Sequence, residues 1–458
     1  MALAYHSFQI QDKALFQRYM RNTGRVCEHT FANLFAWQQS FDSKWAEVED
    51  RLIVRLLIAD PDESFKYLIL PDVRTPYLSV ILQQIREDAG NMPYNLVRMS
   101  DEDKHYLEGL FPDAFMYDNP RDSMDYVYDV VNFQTFKGRK LAAKRNHVNK
   151  FKSLYSYHYE ELTPDLFNEC LQLEQRWRVA QHDDSAWLEA EERAIRVLFD
   201  YYQDLDLIGG ALFVDDNLAA FTLGSPISNH VFDIHIEKAD VCYEGAFPMM
   251  SHLFAQHLPP QYQYINREED LGLPGLRKSK LSYHPLRLES KFSASPLDDD
   301  LRGIIRLWQD CFHDDEAFVH TVLSRYYDKS RVFVRRAGNR IVSQCLLIPC
   351  DSMVGRIGYL YAIATAEECR GQGLAEQVTK EAIAYAQDHK MSAVALIPAD
   401  ERLRHYYARF GFEAHPFPIR FESDCDLGTG DATKDYPLFL KLQDVSFPEG
   451  ELVCVPER

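Results

Sequence analysis

The chain has 458 residues, 46% of them hydrophobic and 26% charged, which fits a globular protein of two or three domains and excludes a disordered or fibrous one. Its formal net charge of −20 repels nucleic acids and anionic membranes as general partners, favours a cationic small substrate, and leaves room for a local basic patch. The nine cysteines include no Cys-x-x-Cys pair and no histidine at zinc spacing, so reduced thiols and no metal are expected. The opening MALAYHSFQIQDK has no signal-peptide character, and the apolar run at 52–59 is short and carries Arg55. A cytoplasmic protein without membrane insertion is the expectation.

In chain order, residues 45–70 read as a strand, a tight turn near Glu49-Asp50 and two further strands. A basic stretch follows at 137–152, with Lys137, Arg139, Lys140, Lys144, Arg145, Lys150 and Lys152 and no acid among them. It reads either as a solvated helix face or as a grip for a phosphate-rich ligand, such as a phosphorylated metabolite or the acceptor end of an aminoacyl-tRNA. Residues 211–240 repeat the three-strand pattern with a turn near Asp216-Asn217, and Arg277, Lys278 and Lys280 make a smaller cationic group. Residues 291–300 are polar, contain proline and read as a linker. The clearest copy is 331–365, with Gly338-Asn339 as a two-residue hairpin turn. The stretches 262–285 and 393–416 also correspond: strand, polar break, short helix, then a run ending in His-Pro. The pattern predicts three related α/β units, at 1–135, 136–291 and 292–458.

The most informative segment is 359–390. A strand ends near Thr365, and Arg370-Gly371-Gln372-Gly373-Leu374-Ala375 opens a helix with Leu374, Val378, Ala382 and Tyr385 on one face. Glycines let the backbone turn tightly and let a ligand approach the amides. The N–H groups and dipole of the helix start then favour a pyrophosphate. The spacing excludes a nucleoside-triphosphate P-loop and a dinucleotide fingerprint, since neither Gly-Lys-Ser/Thr nor a third glycine is present.

This segment resembles the acyl-CoA motif of the GNAT N-acetyltransferase family, Gln/Arg-x-x-Gly-x-Gly/Ala, with Arg370, Gly373 and Ala375 at its fixed positions. A second family signature is similar to residues 400–412, where Tyr407, Gly411 and Phe412 match while Asp400 replaces Asn and Leu403 replaces Ala. The resemblance implies mixed, mainly antiparallel sheets flanked by helices, with two central parallel strands splayed apart. It implies acetyl-CoA as co-substrate, held by Ile363, Thr365, Arg370, Gly371, Gln372, Gly373, Leu374, Ala375 and Asp400. It also implies direct attack of an amine, from a small molecule or peptide, on the thioester, with backbone N–H groups facing the oxyanion and Tyr407 as general acid. No carboxylate lies on 358–363 to serve as base, and Glu367 and Glu368 read as loop charges. The acidic loop 421–435 reads either as solvated or as an attractor for a cationic amine, through Glu422, Asp424, Asp426, Asp431 and Asp435.

Residues 10–290 resemble the soluble relatives of the phosphatidylglycerol lysyltransferase C-terminal domain, through 31–37, 125–129, 137–151 and 265–283. That resemblance implies tandem GNAT-like folds. The second unit has only Gly245-Ala246 at the position of the glycine turn, so CoA binding of the same kind is not expected there. The readings left open are an acyl-CoA-dependent N-acyltransferase, an aminoacyl-tRNA-dependent transferase centred on 135–290, and a non-catalytic acyl-CoA sensor.

Overall fold

A computed structural model describes residues 3–20, 23–58, 64–90, 92–181, 186–415, 418–423, 425–428, 437–447 and 450–457. The chain divides into two compact units, one of Met1–Pro112 and Asn119–Ala294, the other of Asp113–Asp118 and Ser295–Arg458. The strands are β1 (His6–Ser7), β2 (Lys44–Val48), β3 (Arg51–Ile58), β4 (Ser64–Leu70), β5 (Tyr94–Met99), β6 (Phe115–Asp118), β7 (Asp125–Asp129), β8 (Tyr157–Glu161), β9 (Ile208–Val214), β10 (Asn217–Pro226) and β11 (Val231–Ala239). They continue as β12 (Tyr264–Asn266), β13 (Arg287–Glu289), β14 (Phe292–Pro296), β15 (Val332–Ala337), β16 (Arg340–Ser352), β17 (Ile357–Thr365), β18 (Ala393–Leu396), β19 (Glu413–Ala414), β20 (Ile419–Phe421), β21 (Leu438–Lys441) and β22 (Leu452–Pro456).

The first unit holds two mixed sheets, one containing β1-β2-β3-β4-β5-β14 in that order, the other ordered β13-β7-β12-β11-β10-β9-β8. The second unit holds a third sheet, β19-β21-β18-β17-β16-β22-β20, with β15 on β16. One motif is common to all three. A hairpin (β2/β3, β9/β10, β15/β16) is followed by an antiparallel third strand, a helix, and a strand parallel to the third. The helices are Leu78–Ala89, Ala246–His257 and Leu374–Asp388. Hairpin turns need positive φ, and Glu49, Asp216 and Gly338 supply it at 55°, 65° and 60°. In the second hairpin the turn sits at Asp215-Asp216, one residue before the sequence-based position, because both aspartates take positive φ.

The repeats differ in one respect. β3 and β4 pair in unbroken register. In β10/β11 the register shifts between Leu223 and Gly224, which leaves His235 as an extra residue. In β16/β17 it shifts between Gln344 and Leu346, where Ala362 has a φ of 46°.

In the third sheet, helix Leu374–Asp388 buries Val378, Ala382, Ile383 and Ala386 against Leu347, Leu360, Val394 and Leu396. Helices Asp299–Phe312 and Glu316–Tyr326 cover the other face with Ile304, Trp308, Val319 and Leu323. Asp298 and Asp315 cap these two helices by accepting the N–H groups of Leu301 and Ala317. Each fully buried aliphatic side chain here contributes roughly 1.5–3 kcal/mol.

Residues 291–300 contain the expected boundary, since the chain passes from the first unit to the second at Ala294–Ser295, but they are not an exposed connection. Phe292–Pro296 is a strand paired with β5. Lys291, 1% exposed, places its ammonium among Asp125 at 2.5 Å, Glu28 at 2.8 Å and Glu269 at 3.1 Å. The three carboxylates hold the ammonium charged despite its burial. A polar composition therefore marks a buried ion cluster rather than an exposed connection.

Candidate functional site

The site in the second unit begins where two strands stop pairing. β17 runs parallel to β18 at Ile357↔Ala393, Gly358↔Val394 and Tyr359↔Ala395. β18 ends at Leu396, while β17 continues to Thr365. Among the described residues, the far half of β17 therefore has β16 on one edge and no strand on the other. The Ala362 bulge falls in this half, and bulges re-aim backbone groups beside active sites. Ala366 N–H donates to the Val342 carbonyl at 2.9 Å. By the alternation of an antiparallel ladder, the peptide groups of Thr365 face away from β16, toward the open edge. Ile363 is half-buried beside the bulge.

The glycine turn lies at the end of this strand. Gly371 and Gly373 have φ of 80° and 76°, and a Cβ at either would meet no atom within 4 Å. Gly373 is the N-cap of helix Leu374–Asp388, and no side chain caps it. The first amides of the helix, including those of Leu374 and Ala375, are donors without an intrahelical acceptor. Arg370 and Gln372 are exposed at the rim. Arg370 donates from Nε to the Thr365 carbonyl at 3.3 Å, which ties the turn to the strand end. The single acid in the first turn, Glu376, is paired with Lys380 at 2.6 Å. The cradle is thus open, amide-lined and cationic at its edge, which is the chemistry a diphosphate requires.

Tyr407 belongs to helix Glu401–Ala408. It packs in the cluster that contains Leu360, the first residue of β17 beyond the paired segment. Burial pushes its phenol well above the ordinary value of 10, so it stays protonated through the physiological range. Asp400 is the N-cap of that helix, and its Oδ1 accepts the Leu403 N–H at 2.7 Å. Leu403, Tyr406, Tyr407 and Phe410, at helical spacing, are only partly buried, with Tyr407 the one buried member.

The opposite face of β17 carries residues that sequence reasoning passed over. Tyr361 stands 5.5 Å, ring centre to ring centre, from both Trp308 and Tyr359. Trp308 donates its indole N–H to Asp314 at 2.8 Å, and Tyr359 donates to the Leu427 carbonyl at 2.8 Å. Asp314 and Asp426 both raise the proton affinity of Tyr361, after its burial. Trp308 and Tyr359 are buried in the core at 1% and 2% exposure, and Tyr361 is the half-buried member of the three. Asp424, Asp431 and Asp435 lie outside the described residues. Glu368 is paired with Arg340.

Residues 21–295, more than half of the chain, match the family model described as phosphatidylglycerol lysyltransferase, C-terminal. The chain belongs to the phosphatidylglycerol lysyltransferase C-terminal family. Residues 295–415 match a second model, acetyltransferase (GNAT) domain. A conserved protein of unknown function from Bacteroides thetaiotaomicron is 33% identical, with a TM-score of 0.60, over 64% of this chain and 100% of that one. An uncharacterized protein of Mycoplasmoides gallisepticum is 27% identical over 172 residues, 36% of this chain and 53% of the relative. The chain thus spans about half the length of that curated relative. The structure of L-PGS from Bacillus licheniformis is 15% identical with a TM-score of 0.44, over 62% of this chain and 91% of that one.

Within the lysyltransferase-family region, the second sheet has the same helix start as the third but not the same opening. Gly245, φ 88°, is the N-cap of helix Ala246–His257. A Cβ there would lie 2.9 Å from the His147 carbonyl. The backbone of helix Ala142–Leu154 therefore covers the position that is open at Gly373. That helix carries most of the basic stretch. Lys150 pairs with Glu244 at 2.7 Å, and Lys144 lies 3.7 Å over the Tyr283 ring. Burial and the nearby Arg267 lower the Lys144 pKa to about 8. Lys137, Arg139, Lys140 and Lys152 are exposed, and their side chains make no ion pair among the described residues. The second cationic group is not free. Arg277 is bound to Asp270 at 2.9 Å and Lys280 is held by the carbonyls of Arg267 and Glu269. Among the described residues no helix is long and apolar enough to cross a membrane.

Proposed function

We propose that the second compact unit is an acyl-CoA-dependent N-acyltransferase that moves an acetyl group from acetyl-CoA to an amine by direct attack. The acyltransferase class follows from the two family matches. The reading of this unit rests on one observation: an uncapped helix start with two open glycines at the end of a strand whose edge is unpaired.

Acetyl-CoA, when bound, supplies an activated thioester. The amides of residues 373–375 and the Arg370 guanidinium hold the diphosphate, and the free edge of β17 from Ile363 to Thr365 pairs with the pantetheine amides. Backbone N–H groups at the bulge face the carbonyl oxygen as the amine nitrogen bonds to the acyl carbon and the carbon–sulfur bond breaks. Tyr407 gives its proton to the departing sulfur and regains one from water. The amine proton passes to solvent, since β17 offers no carboxylate. The half-buried Tyr361, with Asp314 and Asp426 near it, faces the cationic acceptor.

The test is thiol release from acetyl-CoA with a panel of amines, beside thermal shift with acetyl-CoA. Stabilisation together with amine-dependent release supports the reading. Stabilisation without release indicates a sensor instead.

A second reading has its own support. Lys137, Arg139, Lys140 and Lys152 are exposed and, among the described residues, without ion pairs. In the same unit an open cavity of about 490 Å³ is lined by residues including Phe16, Thr30, Phe31 and Ser225. An aminoacyl-tRNA-dependent transfer in this unit would use the cations for phosphates and the cavity for the acceptor. Retention of charged tRNA, lost on reversing those four charges, would favour it.

A further inference from the structure

The second sheet opens at the same point of the motif as the third, but different chemistry fills the opening. β11 pairs with β12 at Val231↔Tyr264, Phe232↔Ile265 and Asp233↔Asn266, and β12 then ends. His235 is the bulge residue of β11, and Glu268 follows the end of β12 with a φ of 56°.

These three side chains converge. His235 Nδ1 lies 3.4 Å from Asp233 Oδ2 and 3.2 Å from Glu268 Oε1, and one ligand atom from each residue lies within 4.8 Å of the others. Ligands bound tetrahedrally at about 2.0–2.1 Å are about 3.3 Å apart, so the two measured separations already match such a polyhedron. The imidazole is held from behind, since Nε2 is 2.8 Å from Ser225 Oγ. With Nε2–H donating to the serine, Nδ1 presents its lone pair to the carboxylates, an arrangement characteristic of metal-bound histidine. Asn33 donates to Glu268 Oε1 at 3.3 Å.

Charge points the same way. Asp233 is 0% exposed, and neither of its oxygens accepts a hydrogen bond. A buried carboxylate in that state is costly unless a cation or a proton joins it. The neighbouring cations are engaged elsewhere: Lys291 with Asp125, Glu28 and Glu269, Arg98 with Glu28, and Arg267 with Glu237. The other cluster of potential ligands, Cys27, Glu28 and Asp125, is filled by the Lys291 ammonium; Asp233, His235 and Glu268 have no such occupant. The Glu268 side chain keeps 24% of its surface exposed, which gives an ion a way in.

We propose that Asp233, His235 and Glu268 bind one divalent transition-metal ion of the zinc type, through His235 Nδ1 and one oxygen of each carboxylate, with a fourth position open. One imidazole and two carboxylates are a donor set suited to such an ion. The competing arrangements hold no metal: an imidazolium that donates Nδ1–H to the two carboxylates, or a proton on the buried Asp233 carboxyl.

The test uses the full chain, stripped with a chelator and titrated with zinc, with cobalt as a spectroscopic probe. The wild type takes up one equivalent more than Asp233→Asn or His235→Gln, and its cobalt form shows the bands of a low-coordinate site. Ser225→Ala weakens binding by about 10-fold, as loss of an orienting partner does. Asp233→Asn removes an unpartnered buried charge, so it folds with a melting temperature no lower than that of the metal-free wild type, and zinc does not raise it. Equal stoichiometry in wild type and variants overturns the proposal. So does a His235 Nδ1 that stays protonated under excess zinc.

Discussion

Tyr359 lies opposite Ala395, and this is the last pair that joins the parallel strands β17 and β18. All but one of the residues expected to hold a coenzyme lie on the continuous path from Ile363 to Ala375 beyond that pair. Asp400 alone stands apart, as a helix cap.

Gly373→Ala tests the cradle against simple strain. An L residue in the left-handed region costs about 1–2 kcal/mol, so the variant is less stable by that amount. Gly338 has a similar φ of 60° and the same empty surroundings. Gly338→Ala should lose similar stability and keep full affinity for acetyl-CoA. Gly373→Ala should bind it at least about 10-fold more weakly, a loss of about 1.4 kcal/mol. Calorimetric titration of both variants separates the two effects.

Gly245→Ala is the counterpart in the first unit. Its added methyl meets the His147 carbonyl at 2.9 Å, so steric conflict adds to the strain. We expect a larger loss of stability than for Gly373→Ala, with acetyl-CoA affinity unchanged. Weakened coenzyme binding in this variant would move the site to the first unit.

Tyr407→Phe should lower kcat by about 10²–10⁴-fold, the usual worth of a positioned acid, while KM for acetyl-CoA stays the same. The phenol is held above its ordinary value of 10, so the wild-type rate should show no loss from its ionisation up to that pH. A variant with unchanged turnover would leave Tyr407 with a packing role only.

Lys291→Met leaves Asp125, Glu28 and Glu269 facing one another. Breaking a buried ion cluster from one side costs about 3–5 kcal/mol, measurable by urea unfolding near neutral pH. Adding Asp125→Asn should restore part of it. The surrounding carboxylates hold the ammonium above its ordinary value of 10.5. Its stabilising effect is therefore complete below that value and is lost as pH rises toward the folded-state pKa. Stability falling through that alkaline window should be seen in the wild type and not in the variant.

How much was legible in the sequence depended on how local the signal was. The hairpins at Glu49, Asp216 and Gly338 and the turn at Arg370–Ala375 were readable because positive-φ positions and helix starts select residue types within a few positions. The three related α/β units followed from the repeat, and the mixed sheets from the family resemblance. The boundary at 291–300 was legible, but the burial of Lys291 within it was not, because its partners stand at 28, 125 and 269 in the sequence and no window contains them. Asp233, His235 and Glu268 escaped for the same reason. A search for metal-ligand spacing looks along one element, whereas here one ligand sits on a bulge and another beyond the end of the adjacent strand. The pairing of Tyr361 with Trp308 could not be read, since it requires the packing of a helix from before the sheet.

The most direct measurement is calorimetric titration of the full chain with acetyl-CoA, run beside Gly373→Ala. We expect a single exothermic site in the wild type and a dissociation constant at least about 10-fold larger in the variant. No heat from the wild type, or equal binding by the two proteins, would contradict a coenzyme cradle at the start of helix Leu374–Asp388.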